Sequence, residues 1–241
     1  EAIHKSRQTL CKLLARKLKL TFEEVYYKAR DAHSLDDLSN KAMGARLLAN
    51  TVLEFLVKNE DHQSINLAFE QAVNTNSMTM VIGGLSALNN IDSSQRREAL
   101  SHFYKKWQDD PLELDKWFSF YATCTLPNAE GDVVSLVQHS KFDITNPNRV
   151  RSLLNNFATN NPFHFHNNKG SGYQLISDNI IHIDRFNPQL AARLVLPLTR
   201  WQKHNSHQKG LMIDNLQKIK AENSLSIDVD EIVSKGLIGA K

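Results

Sequence analysis

Along almost the whole chain, apolar residues return every three or four positions, the spacing that lines one face of an α-helix. No segment alternates strictly between apolar and polar residues between hairpin turns, so strands are not expected. Ile3, Leu10, Leu13, Leu14 and Leu18 mark a first helix, and Thr21 with Glu24, spaced as a capping box, starts a short second one. Ser34 reads as the cap of a long third helix carrying Leu35, Leu38, Ala42, Ala45, Leu48, Val52 and Phe55. Similar patterns cover 62–74, 77–89, 93–108 and 111–124. The last is opened by Asp110-Pro111, with proline at the first helical position, where its missing N–H is not needed. In the second half Val133, Val134 and Val137 mark one helix, and Val150, Leu153, Leu154 and Phe157 fall at i, i+3, i+4 and i+7 of the next. Asn146-Pro147 and Asn187-Pro188 each supply a cap and a first-turn proline, and final helices are predicted over 206–222 and 228–237.

The pattern predicts an all-α fold of roughly a dozen helices joined by short connections. No tetratricopeptide or ankyrin period recurs. Paired antiparallel helices in an α-α superhelix, an α-solenoid of HEAT or armadillo character without a β-sheet, fit better than a strict repeat. A single globular bundle is the structural alternative. No Gly-, Pro- or Ser-rich linker divides residues 1–241, which read as one domain.

Composition narrows the partners. A hydrophobic content of 41% suffices for a core, and 29 Lys+Arg against 26 Asp+Glu leave a net charge of +3, too little for a nucleic-acid field. Cys11 and Cys124 lack CxxC spacing, which fits a reducing, cytoplasmic setting, and each reads as a small buried apolar residue. No apolar run approaches the roughly 20 residues of a membrane span, and "EAIHKSRQTLCKLL" lacks the core of a signal peptide. The chain starts without Met and enters a helical pattern at once, so it is expected to be a fragment of a longer protein.

"NPFHFHNNKGSGY", from Asn161 to Tyr173, carries two possible sites. His164 and His166 suggest a metal, but no Cys, Asp or Glu stands nearby to complete a ligand set, and no His is followed by the Glu of a zinc-hydrolase helix. Gly170 and Gly172 lack the Lys-Ser/Thr and the preceding strand of a phosphate loop. The stretch reads as the connection between two helices, the second starting at Ser171 or Gly172. His204 and His207 lie at a helix junction in a solvated or capping role. Gly83-Gly84 marks close helix packing or a break, and Trp117, Phe118 and Tyr121 read as core. No serine or cysteine nucleophile has a partner, so no catalytic residue and no metal ligand is assigned.

"GARLLANTVLEFL", "ALSHFYKKWQDDPLELDKWFSFYAT", "FDITNPNRVRSLLNNFATNNPFHFHNNKGSGY" and "NPQLAARLVLPLTRW" together resemble the C-terminal domain of the bacterial-type aminopeptidase N family. These alanyl aminopeptidases are zinc metallopeptidases of the gluzincin class. The likeness runs in order from about residue 40 to the end. It implies an upstream catalytic domain with an H-E-x-x-H helix, whose Glu acts as general base on a zinc-activated water. It also implies a further Glu ligand and a G-A-M-E-N-like segment that grips the substrate amine. None of these occurs here, and "KAMGARLLAN" is not that segment, having no Glu. The fragment is therefore expected to hold no cofactor and to be inactive alone, zinc belonging to the parent enzyme.

The resemblance further implies that this domain closes over the catalytic domain, leaving a chamber that admits peptides and excludes folded proteins. The family places the Gln and Arg of its N-P-Q-x-x-x-R segment toward that chamber; they match Gln189 and Arg193 here, which the resemblance therefore implies line it, with Arg151 a candidate support of its wall. Spacing agrees that Leu190, Leu194, Leu198 and Trp201 form a buried stripe while Gln189, Arg193 and Arg200 lie on another side. A solvated or ion-paired face is the alternative for Gln189 and Arg193; Arg149 and Arg151 of "NPNRVR" match the family's motif as well, and for them an ion pair near a helix start is the reading preferred over support of the wall. Pro197 removes the hydrogen bond to the Arg193 carbonyl and is expected to kink the helix. The implied partners are the upstream domain and peptide substrate, with neither nucleic acid nor membrane. A free-standing α-solenoid that binds other proteins is the alternative function.

Overall fold

The computed structural model describes residues 2–240, and all regular structure among them is helical. In chain order the helices are α1 (Ala2–Lys17), α2 (Lys19–Arg30), α3 (Asn40–Leu56), α4 (His62–Val73), α5 (Met78–Leu88), α6 (Ser94–Trp107), α7 (Pro111–Thr123) and α8 (Ala129–Val137). There follow α9 (Pro147–Val150), a π-helical turn (Arg151–Asn155), α10 (Asn156–Asn160), α11 (Pro162–Phe165), α12 (Ser171–Asp184) and α13 (Pro188–Val195). A 3₁₀ segment (Leu198–Lys203), α14 (Ser206–Lys220) and α15 (Ile227–Gly236) complete the chain. Contacts gather it into two compact units, one reaching Phe120 and one beginning at Tyr121, with the boundary inside α7.

In the first unit α2 packs on α3 and α4 on α5, and the pairs are joined by α3 against α5 and α4 against α6. This ladder of neighbours is what stacked helical hairpins produce. Gly84 lets α5 lie directly on the α4 backbone: a Cβ there would meet the Ala68 carbonyl oxygen at 2.6 Å and the Ala72 nitrogen at 2.7 Å. A buried polar network ties four helices together. Tyr26 Oη donates to Gln71 Oε1 at 2.9 Å, and Gln71 Nε2 donates to Asn50 Oδ1 at 2.9 Å and to the Met80 carbonyl at 2.8 Å. Asn50 Nδ2 in turn donates to the Thr79 carbonyl at 3.1 Å. Buried polar groups satisfied in this way fix one packing arrangement.

Two starts and one buried face differ from the sequence pattern. α2 begins at Lys19 without a side-chain cap, so Thr21 and Glu24 lie inside the helix rather than at its entrance. α3 is capped by Ser39, whose Oγ accepts from the Ala42 N–H, and not by Ser34, which closes a turn onto the Asp36 N–H. Leu35 and Leu38 consequently stand in the connection and are exposed, and the buried face of α3 is Ala42, Arg46, Ala49, Val52, Leu53 and Leu56. The apolar stripe of α1 does not enter the core. Ala15 is the buried residue of α1, while Ile3 is 87% and Leu10 56% exposed.

In the second unit α12 packs on α13 and α14, and α13 on α15. Side-chain bonds pin these contacts: Ser177 Oγ to Asn215 Oδ1 at 2.8 Å, and Trp201 Nε1 to the Gly236 carbonyl at 2.7 Å. The buried carboxylate of Asp184 accepts from the Ser226 N–H at 2.8 Å and from its hydroxyl, placing the residue that caps α15. The prolines behave as their spacing predicts. Asn146 Oδ1 accepts from the N–H groups of Asn148 and Arg149, and Asn187 Oδ1 from that of Leu190, each just before a first-turn Pro.

Candidate functional site

Residues Asn161–Tyr173 are held by their own polar groups. Asn161 is fully buried, and its Nδ2 donates to the carbonyls of Ala122 at 3.0 Å and Cys124 at 2.7 Å, while Oδ1 accepts from the His164 N–H. Asn161 thus caps a turn of helix, α11, within what the sequence pattern reads as a plain connection. His164 Nε2 lies 2.9 Å from the Leu126 carbonyl; a carbonyl only accepts, so this nitrogen carries the proton. Gly170, with φ of 71°, turns the chain into α12 through a left-handed conformation that suits glycine. Gly172 sits against the Phe165 backbone, where a Cβ would come within 2.7 Å of the carbonyl oxygen. Each glycine has a packing or turning role.

His166 Nδ1 lies 2.9 Å from Tyr173 Oη, its ring stacks on His204 with centroids 4.1 Å apart, and its carbonyl accepts from Gln208 Nε2. Burial, followed by the charge of His204, lowers the His166 pKa from 6.5 to about 4, and burial pushes the Tyr173 phenol up to about 12. The unfolded chain therefore binds more protons than the folded one between pH 6.5 and about 4. The stability that depends on a neutral His166 is complete above that window and lost as pH falls through it. The urea midpoint is expected to drop over this range, and His166→Asn to flatten the slope. An unchanged slope in the variant would remove His166 from the effect.

Among the described residues no three His, Cys, Asp or Glu side chains converge as metal ligands. None of their helices is long and apolar enough to cross a membrane. A cleft of about 500 Å³ in the first unit is lined by Tyr26, Arg30, Asp31, His33, Glu70 and Asn74. Its Arg30 is already gripped by Asp31 through Nε at 2.7 Å and a terminal nitrogen at 3.0 Å.

Gln189, Arg193 and Arg200 are exposed, whereas Leu190, Leu194, Leu198 and Trp201 are buried, so α13 and the 3₁₀ segment after it keep one apolar and one polar side. The side chains of Gln189 and Arg193 have no hydrogen-bond or ion-pair partner among the described residues, which leaves their donors facing outward. Pro197 does more than kink the helix. α13 ends at Val195, the Leu196 N–H turns to the Arg193 carbonyl, and the chain continues as 3₁₀ helix. Arg151 is exposed and donates to Asn148 Oδ1 at 3.1 Å, a neutral partner rather than the carboxylate of an ion pair, whereas Arg149 is buried.

Arg151 also opens the π-helical turn: the Asn156 N–H reaches back five residues to the Arg151 carbonyl. Such turns carry one extra residue and recur at functional sites. Nothing in the sequence marks it, because Val150, Leu153, Leu154 and Phe157 fit an uninterrupted α-helix and are all fully buried. The stack of His166 on His204 was equally hidden, joining residues far apart in the chain.

The family described as "Domain of unknown function (DUF3458_C) ARM repeats" matches residues 1–238. The chain is 38% identical over 196 residues to an aminopeptidase N of Caulobacter vibrioides, covering 81% of this chain and 23% of that protein. It is 33% identical to that of Haemophilus influenzae and 32% to that of Escherichia coli, each over 239 residues, or 98% of this chain and 27% of the relative. The structure of Legionella pneumophila aminopeptidase A in complex with aspartic acid superposes with a TM-score of 0.90 at 32% identity, covering 98% of this chain and 28% of that one. The chain thus spans about a quarter of the length of the curated relatives it matches.

Proposed function

Because this chain belongs to the DUF3458_C family of ARM-repeat domains and matches aminopeptidases N over 98% of its length, we propose that it serves a zinc aminopeptidase in peptide catabolism. The parent enzyme removes N-terminal residues from peptides in the cytoplasm. This domain closes over the catalytic domain, completes the chamber around the substrate and limits entry to peptides. The observation that carries the reading is the outward polar side of α13, where Gln189 and Arg193 stand one turn apart with uncommitted donors.

Arg193 offers a planar fork of N–H groups that matches a carboxylate in two parallel bonds, and Gln189 offers both a donor and an acceptor to a peptide backbone. They would hold the far end of a peptide, at its carbonyls or free carboxylate, and Arg151 would support the chamber wall. Among the described residues no three possible ligands converge, and in this reading the zinc and its ligands lie in the catalytic domain and no step of the hydrolysis is assigned to this chain.

The test is Arg193→Ala in the full polypeptide, comparing kcat/KM for dipeptides with that for longer peptides. A lost hydrogen bond to a charged group removes about 1.5–3 kcal/mol, so roughly tenfold or more is expected to vanish for one length class and not the other. Equal kinetics at every length, with the fold intact, would reject the role.

A further inference from the structure

The cleft of about 500 Å³ in the first unit has a floor whose polar atoms are already bonded. Tyr26, Gln71 and Met80 line it and are buried. The Tyr26 hydroxyl donates to Gln71 Oε1, and Gln71 Nε2 donates to Asn50 Oδ1 and to the Met80 carbonyl, so the inner end is held in shape by bonds that need no ligand. Half-buried Leu67 and exposed Leu35 carry the apolar lining outward. A preformed, mostly apolar concavity of this volume with a few polar groups at its edge is the usual form of a small-molecule site.

Charge on the lining is uneven. Arg30 is committed to Asp31, through Nε at 2.7 Å and a terminal nitrogen at 3.0 Å, and lies over the Tyr27 ring at 4.9 Å from its centroid. His33 Nδ1 faces Asp37 at 3.2 Å. Glu70 is exposed and accepts from the side-chain amide of Asn74, and no Lys, Arg or His among the described residues pairs with it. Of the charged side chains on the lining, Glu70 alone lacks an opposite charge.

We propose that this cleft binds a small amphipathic amine tail first, with an apolar stem against Met80, Tyr26 and Leu67 and a single ammonium group at Glu70. An anion would meet the Glu70 carboxylate and would have to displace Asp31 from Arg30. A lysine side chain of another protein would enter ammonium first, carrying its charge to a floor that has no uncommitted acceptor, and desolvation opposes that. A free amine leaves its charge hydrated at the mouth. The proposal does not depend on the peptidase reading, because every residue it uses lies between Tyr26 and Met80.

The experiment follows methionine methyl signals in the 241-residue chain labelled with methyl-¹³C methionine. Of its 4 methionines, Met80 reads the floor of the cleft, and Met212, buried in the second unit, is the spectator. The probes are n-hexylammonium, 1-hexanol and hexanoate, titrated at neutral pH and low ionic strength. Hexylammonium is expected to move the Met80 signal saturably while Met212 stays in place, in the millimolar range that about seven heavy atoms allow. Its affinity should exceed that of hexanol by about fivefold, the size of an exposed ion pair in low salt. Glu70→Gln should remove that margin, and Glu70→Lys should make hexanoate the tightest of the three.

An unmoved Met80 signal overturns the proposal. Equal affinities for hexylammonium and hexanol do the same, since the cleft would then be merely apolar. Tighter binding of hexanoate to the parent chain, or a margin that survives Glu70→Gln, also sinks it. Lysine with both backbone ends blocked is the last probe: binding as tight as that of hexylammonium would assign the cleft to a side chain of another protein and overturn the free amine.

Discussion

Gly84→Ala is expected to destabilise the protein by about 3 kcal/mol, because adding a methyl group where two helices touch forces backbone to move. The new Cβ would meet the Ala68 carbonyl oxygen, the Ala72 nitrogen and the Ala72 Cα within 3.0 Å, and none of these atoms can rotate away as a side-chain end can. α4 and α5 would have to separate, and the Gln71 network that bonds α4 to the Met80 carbonyl would stretch with them. Gly44→Ala is the internal control. It lies within α3 with nothing inside 4 Å of the added atom, so it should stabilise by about 0.5–1 kcal/mol through helix propensity alone. Urea denaturation of both variants reads the contrast, and a Gly84→Ala midpoint equal to that of the parent would refute the close packing.

Asn161→Ala should cost as much or more. The substitution removes two donors to the Ala122 and Cys124 carbonyls and the acceptor for the His164 N–H, in a position with no access to water. Each buried polar group stripped of its partner costs about 1–3 kcal/mol, so a loss near 3 kcal/mol or beyond is expected. Asn161→Asp should rescue nothing, since it would turn a carboxylate oxygen toward two carbonyl oxygens. A midpoint for Asn161→Asp close to that of wild type would show that the amide donors carry little.

The helices and their buried faces were legible where one strong signal set each boundary. Asn146, Asp110 and Asn187 sit directly before prolines and accept from first-turn N–H groups, so the cap and the proline point to the same start. Gly83-Gly84 announced a close contact, and the two sides of α13 followed from spacing alone. Where serines competed, the nearer one won: Ser39 caps α3, and Ser34 is drawn into a turn. The hydrophobic period found α1 but could not tell which way it faces, because amphipathicity fixes an axis and not the identity of the partner. Gln189 and Arg193 came from resemblance to a family, and spacing could show only that they share a polar side.

The π-helical turn at Arg151–Asn155 has a consequence for phase. An α-helix advances about 100° per residue, and a turn that spends one residue more than usual delays everything after it by about that angle. Phe157 and Ala158 remain on the buried side together with Val150, and the delayed chain then delivers Asn161 to the Ala122 and Cys124 carbonyls. The extra residue works as an angular spacer, setting the azimuth of a buried amide several residues downstream, so that the length of this helix matters in units of single residues.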